Sequence, residues 1–164
     1  MPPKTLILGG MIMKRMIQLS AALTISATAV NAWVGQTENG IHFASTNPDV
    51  GTEISVICDA GFNAPITSIS VVIDDQVPAP NSVVYMQFDN DHPLYVITDV
   101  EGAIASNTGR EARIFNQVVA GLKSSANVKM RLFDGSEQVF DLAGSTEAIG
   151  DCKADFDKYQ LASN

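Results

Sequence analysis

Residues 33–109 contain no lysine and no arginine. The same stretch carries ten acids: Glu38, Asp49, Glu53, Asp59, Asp74, Asp75, Asp89, Asp91, Asp99 and Glu101. Such a field repels nucleic acid and anionic lipid head groups and draws cationic partners. Histidine is scarce as well. His42 and His92 are the only two and no H-x-x-x-H spacing occurs, so the three or four convergent ligands of a zinc centre are not in sight. His42, beside Phe43, reads as an ordinary surface or half-buried histidine. Cysteine is limited to Cys58 and Cys152, with no C-x-x-C redox motif. There is no G-x-S-x-G, P-loop, D-T-G or H-E-x-x-H. No cofactor and no metal site are expected. Internal repeats and low-complexity linkers are also missing.

What is present begins with an address. Lys14 and Arg15 form a basic pair, an apolar region rich in small residues follows over 17–29, and Val30-Asn31-Ala32 sets small residues at −3 and −1 before Trp33. This is the pattern of a signal peptide over residues 1–32 with cleavage after Ala32. Ala27-Thr28-Ala29 offers a second cut site. Residues 1–12 sit awkwardly ahead of the basic pair, and Met13 is an alternative start. A retained anchor fits less well, because Gln18, Ser20, Thr24, Ser26, Thr28 and Asn31 dilute a stretch already short of the roughly 20 apolar residues a span requires. The expected location is the periplasm of a Gram-negative bacterium, or secretion from it, with no stable membrane insertion after cleavage.

The remaining residues, 33–164, suit one domain with one core. The leader's bases are Lys4, Lys14 and Arg15 and it has no acids, so 33–164 keep seven Lys+Arg against all 18 Asp+Glu, a net charge of −11. All seven bases fall after residue 109.

In an exported chain an even pair of cysteines favours a disulfide. Alternation over 52–58 places Ile54, Val56 and Cys58 on one strand face, opposite Glu53 and Ser55. A helical stripe over 145–159 places Ala148, Ile149, Cys152, Phe156 and Tyr159 together. Both sulfurs thus point to the core. A reactive thiol is disfavoured, since Asp151 would raise the thiol pKa of its neighbour.

Other segments read coarsely. Residues 33–35 and 41–44 pair across Glu38-Asn39-Gly40, where Asn-Gly is a turn signal, and Trp33 packs at the start of that edge strand. Asn47-Pro48-Asp49 breaks the run. Residues 52–58 and 66–73 are strands separated by a loop at Asn63-Ala64-Pro65, and 74–80 form a loop containing Pro78 and Pro80. Residues 83–88 and 94–98 make a hairpin around Asp89-Asn90-Asp91-His92-Pro93. Residues 110–122 form a helix with Ile114, Phe115, Val118 and Leu122 on one face. A second hairpin joins 128–133 and 137–142 over Asp134-Gly135. Ser145 then caps a last helix, with Glu147 in its first turn. The sum is a β-rich α+β domain: an antiparallel, sandwich-like fold with a short helix and a C-terminal helix tied to an early strand by the Cys58–Cys152 disulfide.

This order of parts, with Val128-Lys129-Met130-Arg131-Leu132-Phe133-Asp134-Gly135, then Phe140-Asp141-Leu142, Gly144, Ala148 and Cys152, and Cys58 upstream, resembles small periplasmic proteins of Gram-negative bacteria. It is similar to the VasI-like type VI secretion accessory proteins and, more loosely, to the invasion-associated locus B proteins. The likeness covers the outline of 52–152 but only about fifteen residues in detail, a span too short to define an activity. It implies location and fold more than chemistry.

Two acidic pairs stand out as partner-binding candidates. Asp89-Asn90-Asp91 has the alternating oxygens of a calcium loop, but neither the glycine nor the closing glutamate that such a loop uses, and Asp and Asn make turns for local reasons. Asp74 and Asp75 are adjacent, so on an extended chain they point opposite ways and form no catalytic dyad. The expected function is that of an exported accessory or binding protein. It would meet a basic protein partner through its acidic half, at Asp74, Asp75, Asp89 and Asp91. Inhibition of a cationic lytic enzyme such as a lysozyme fits the same acidity. A hydrolase with dispersed Asp and His residues is the third class.

Overall fold

The computed structural model describes residues 33–59 and 67–155. The expected leader over 1–32, the expected loop at Asn63-Ala64-Pro65, and Phe156 and Tyr159 all lie outside the described residues. In chain order the elements are β1 (Val34–Glu38), β2 (Ile41–Asp49), β3 (Thr52–Asp59), β4 (Ser68–Val72), β5 (Val83–Phe88), β6 (Leu94–Ile97), β7 (Ile104–Ala105), α1 (Gly109–Ser124), β8 (Asn127–Arg131), β9 (Glu137–Asp141) and α2 (Ser145–Ile149).

Two antiparallel sheets form a sandwich-like β-rich domain. The larger runs β1-β2-β3-β4-β7 and the smaller β6-β5-β8-β9. The sequence alternation dictates this layering. Along β3, Thr52, Ile54, Val56 and Cys58 are buried, and the residues between them are only half-buried. On β4 the buried pair is Ile69 and Val71, and in the smaller sheet Val84, Met86, Val96, Val128, Met130 and Phe140 point inward. All of these except Thr52 join one core cluster. Each fully buried Ile, Val, Met or Phe stabilises that core by about 1.5–3 kcal/mol. Strand β7, short and with only Ile104 and Ala105, has too little alternation to be legible in advance.

The β1–β2 hairpin turns at Asn39-Gly40 as expected, with φ of 52° and 83° at the two positions. This left-handed pair matches the twist of the strands it joins. Trp33 precedes β1, is buried, and its indole N–H donates to the Asp141 carbonyl at 3.2 Å. Asn47-Pro48-Asp49 does not end the strand. β2 continues through it with a register shift between Thr46 and Asp49. A bulge absorbs the proline there, since no ladder hydrogen bond is asked of its missing N–H.

Helix α1 starts at a full capping box. The Thr108 side chain accepts from the Glu111 amide, and the Glu111 carboxylate accepts from the Thr108 amide. Its buried face is Ala112, Phe115, Val118, Val119 and Leu122, and Ile114 is half-buried at the margin. A Cβ on Gly121 would lie 2.6 Å from the Phe88 ring, so the helix approaches the end of β5 as closely as glycine permits.

The C-terminal helix is shorter than its stripe implies. α2 stops at Ile149 because Gly150 adopts φ 58°, and Cys152 follows in non-helical chain. Ser145 does not cap it. Gly144 holds that position, and the buried Ser145 hydroxyl donates to the Leu122 carbonyl at 2.6 Å. The segment after α2 is nonetheless tied down. Cys152 is disulfide-bonded to Cys58 with a Cα–Cα distance of 5.7 Å. The Lys123 ammonium donates to the Gly150 carbonyl at 2.7 Å. The Asn116 side chain exchanges two 2.9 Å hydrogen bonds with the backbone of Ala154. Among the described residues, no helix is long and apolar enough to cross a membrane.

Candidate functional site: an acidic cleft at one end of the larger sheet

At the β2–β3 turn the larger sheet opens into a cleft of about 570 Å³, lined by Asn47, Pro48, Asp49, Val50, Gly51, Thr52, Glu53 and Val72. The bulge after Thr46 sets its wall. Val50, at the tip, is fully exposed (100%). The Asp74-Asp75 turn closes against it. Ile73 and Gln76 exchange both backbone hydrogen bonds, at 2.9 Å each, and the two aspartates between them have φ of 52° and 61°. A left-handed pair is commonly filled by Asn-Gly; here two carboxylates fill it. The Asp75 amide donates to the Gly51 carbonyl at 2.8 Å. Gly51 has φ 76°, which favours glycine, and a Cβ there would displace the Asp75 carboxylate that lies against it. The Thr52 hydroxyl accepts from the Asp74 amide at 3.2 Å, and the Ser55 hydroxyl donates to the Glu53 carboxylate.

The cleft is lined by two acids, Asp49 and Glu53, and the Asp74-Asp75 turn adjoins it at Gly51, on a sheet whose strands carry no lysine or arginine. The carboxylates give this end of the sheet a negative potential. Among the described residues, no three His, Cys, Asp or Glu side chains lie close enough to hold a metal ion. The sequence pointed to Asp74 and Asp75. It did not point to Asp49, Glu53 or Val50 as their companions, although N-P-D-V-G between two apolar runs is a turn signal that places Val50 in the open.

Asp89 and Asp91 are elsewhere. The Asp74-Asp75 turn sits where β4 hands over to β5, and Asp89 follows the far end of β5, a six-residue strand of about 20 Å. The Asp89 carboxylate accepts from the amides of Ala126 and Asn127, at 2.9 Å for the shortest contact, and so fastens the α1–β8 connection to the smaller sheet. Asp89→Ala is expected to cost about 1–2 kcal/mol in urea unfolding, as a charge-assisted bond at an exposed site. An unchanged midpoint would show that the carboxylate holds nothing there. Asp91 is exposed.

His42 is a structural clamp. Its Nε2 lies 2.6 Å from the Ala148 carbonyl and its Nδ1 2.9 Å from the Thr37 hydroxyl. A carbonyl can only accept, so Nε2 carries a proton and donates to it. The ring joins β2 to α2 beside the disulfide, opposite Cys58 in the β2–β3 register. His92 is exposed in the β5–β6 connection.

A family model described as YfjT matches residues 31–149. No curated protein and no solved structure matches the chain. Nothing in these matches links it to the VasI-like or invasion-associated locus B families.

Proposed function

The chain belongs to the YfjT family, and from that premise we propose that it is an exported periplasmic accessory protein which binds a basic protein partner at the acidic cleft. The observation that carries the reading is the cleft lined by Asp49 and Glu53, with the Asp74-Asp75 turn packed against its Gly51 and Val50 exposed at the tip, on a sheet free of bases. Charge complementarity of this kind speeds encounter and fixes register, and an exposed apolar tip at an acidic cleft supplies the part that water does not screen. Export is supported by the pattern of residues 1–32. The family match begins at residue 31, which leaves the basic and apolar leader outside the matched block. The resemblance to VasI-like accessory proteins and to locus B proteins extends the proposal to secretion-associated or envelope work.

The test is affinity capture from the envelope fraction of the source cell with the oxidised protein as bait, read by mass spectrometry and by salt titration. A basic, salt-sensitive partner is the expected result. Asp74→Lys with Asp75→Lys should weaken it about tenfold or more and flatten its salt dependence. Unchanged affinity in that variant removes the cleft as the contact.

The hairpin tip also suits a second reading. An exposed Val50 flanked by carboxylates has the form of a plug for the cleft of a cationic lytic enzyme. A turbidity assay with several lysozymes decides it, since absence of protection at micromolar protein ends that reading.

A further inference from the structure

The smaller sheet turns one face to the core, and no described element packs on the other. Register fixes what that bare face holds. Val83 lies opposite Ile97, Tyr85 opposite Tyr95 and Arg131, Arg131 opposite Glu137, and Lys129 opposite Gln87 and Val139. Phe133 stands two residues past Arg131, at the Val83 end. Several of these side chains are far more exposed than their size warrants: Phe133 81%, Tyr95 63%, Ile97 60% and Val139 54%. Tyr95 meets Tyr85 edge-on at 5.6 Å, and the Arg131 guanidinium sits 4.8 Å from the Tyr85 ring centroid. Exposed aromatic and Arg side chains grouped on a flat apolar face are the composition of an interface centre.

Charge identifies the occupant. Residues 33–164 carry a net −11, so two copies repel each other over most of their surfaces. This face is the exception. Lys129 and Arg131 are balanced by Glu137 and Asp141, and Lys129 is already paired with Glu137 at 2.7 Å. A basic partner is drawn to the acidic cleft instead, and finds no net charge here. We propose that the outer face of the β6-β5-β8-β9 sheet is a two-fold contact with a second copy of this chain. A two-fold contact is self-complementary. Arg131 of each copy reaches Glu137 of the other, and the Ile97, Val83 and Phe133 ends cover one another. Four strands and their side chains span about 20 Å each way, roughly 400 Å² per copy. That is about half of a standard interface, which makes the dimer weak, with a dissociation constant in the micromolar range or above.

Sedimentation velocity of the oxidised full-length protein, from about 10 µM to about 1 mM, tests this. The expected result is a mass that rises with concentration toward that of two chains. Ile97→Asp should weaken association about tenfold or more, and Tyr95→Glu repeats the test should that variant fail to fold. Arg131→Glu should weaken it as well. A monomer throughout the range, or a dimer indifferent to Ile97→Asp, overturns the proposal. So does loss of the dimer in Asp74→Lys with Asp75→Lys, which would move the contact to the cleft. Partner capture through the cleft is read separately and stands or falls without it.

Discussion

Reduction of the Cys58–Cys152 bond, or its removal as Cys58→Ser with Cys152→Ser, is expected to lower the unfolding free energy by about 4 kcal/mol and the melting temperature by more than about 10 °C. The cysteines are 94 positions apart in sequence, and the chain-entropy model gives long loops the larger effect because the unfolded chain loses more freedom when they are closed. For a domain whose whole stability is about 5–15 kcal/mol, that is a large fraction. Urea unfolding with and without reductant measures it, and Trp33 is a convenient reporter: it is the only tryptophan, buried, and bonded to the Asp141 carbonyl. A loss under about 1 kcal/mol would mean that the other ties on the C-terminal segment suffice. Those ties are the Lys123–Gly150 and Asn116–Ala154 hydrogen bonds and the His42 ring against Ala148. Comparing the double variant with one that also carries Asn116→Ala separates the contributions.

Phe115→Ala should cost about 3–5 kcal/mol, comparable to losing the disulfide. Phe115 is fully buried on the α1 face that also carries Val118, Val119 and Leu122. Around it the structure cannot close up easily. Gly121 already touches the Phe88 ring, and the Leu122 and Lys123 carbonyls accept the hydroxyls of Ser145 and Thr146. A helix pinned at its C-terminal end to both β5 and α2 has little room to slide into a cavity, so most of the emptied volume stays empty. The check is equilibrium urea unfolding of the variant. A loss below about 2 kcal/mol would indicate that α1 relaxes toward the sheet.

Much of this architecture was legible because its strands have one wet and one dry face. Residues 52–58 and 137–142 alternate cleanly, and Asn39-Gly40 and Asp134-Gly135 mark turns. The disulfide was legible for the same reason, since both cysteines fell on apolar stripes. The misses have physical causes as well. The stripe Ala148, Ile149, Cys152 has helical spacing, yet Gly150 within it adopts a positive φ, and one backbone dihedral outweighed the periodicity. Pro48 reads as a breaker, and a bulge accommodated it. Of the acidic candidates, Asp74 and Asp75 gained neighbours in Asp49 and Glu53 that only the pairing of β2 with β3 and the Gly51–Asp75 contact bring near. Asp89 was spent on backbone amides more than 35 residues away in sequence. Composition shows that a half-chain is acidic; it does not show which carboxylates are already employed. The bare face of the smaller sheet went unread because Val83, Tyr85, Tyr95 and Ile97 sit on alternate positions where polar residues are expected, and apolar residues on both faces of a strand leave no contrast to detect.

With two cysteines in the chain, there is only one intramolecular pair to make. A chain emerging from its N-terminus brings out Cys58 while β4 to β9 are still to come, and Cys152 after every strand has appeared. The single cross-link therefore has no wrong partner within the molecule, so it needs an oxidant but no reshuffling. It can close only after every described strand has emerged.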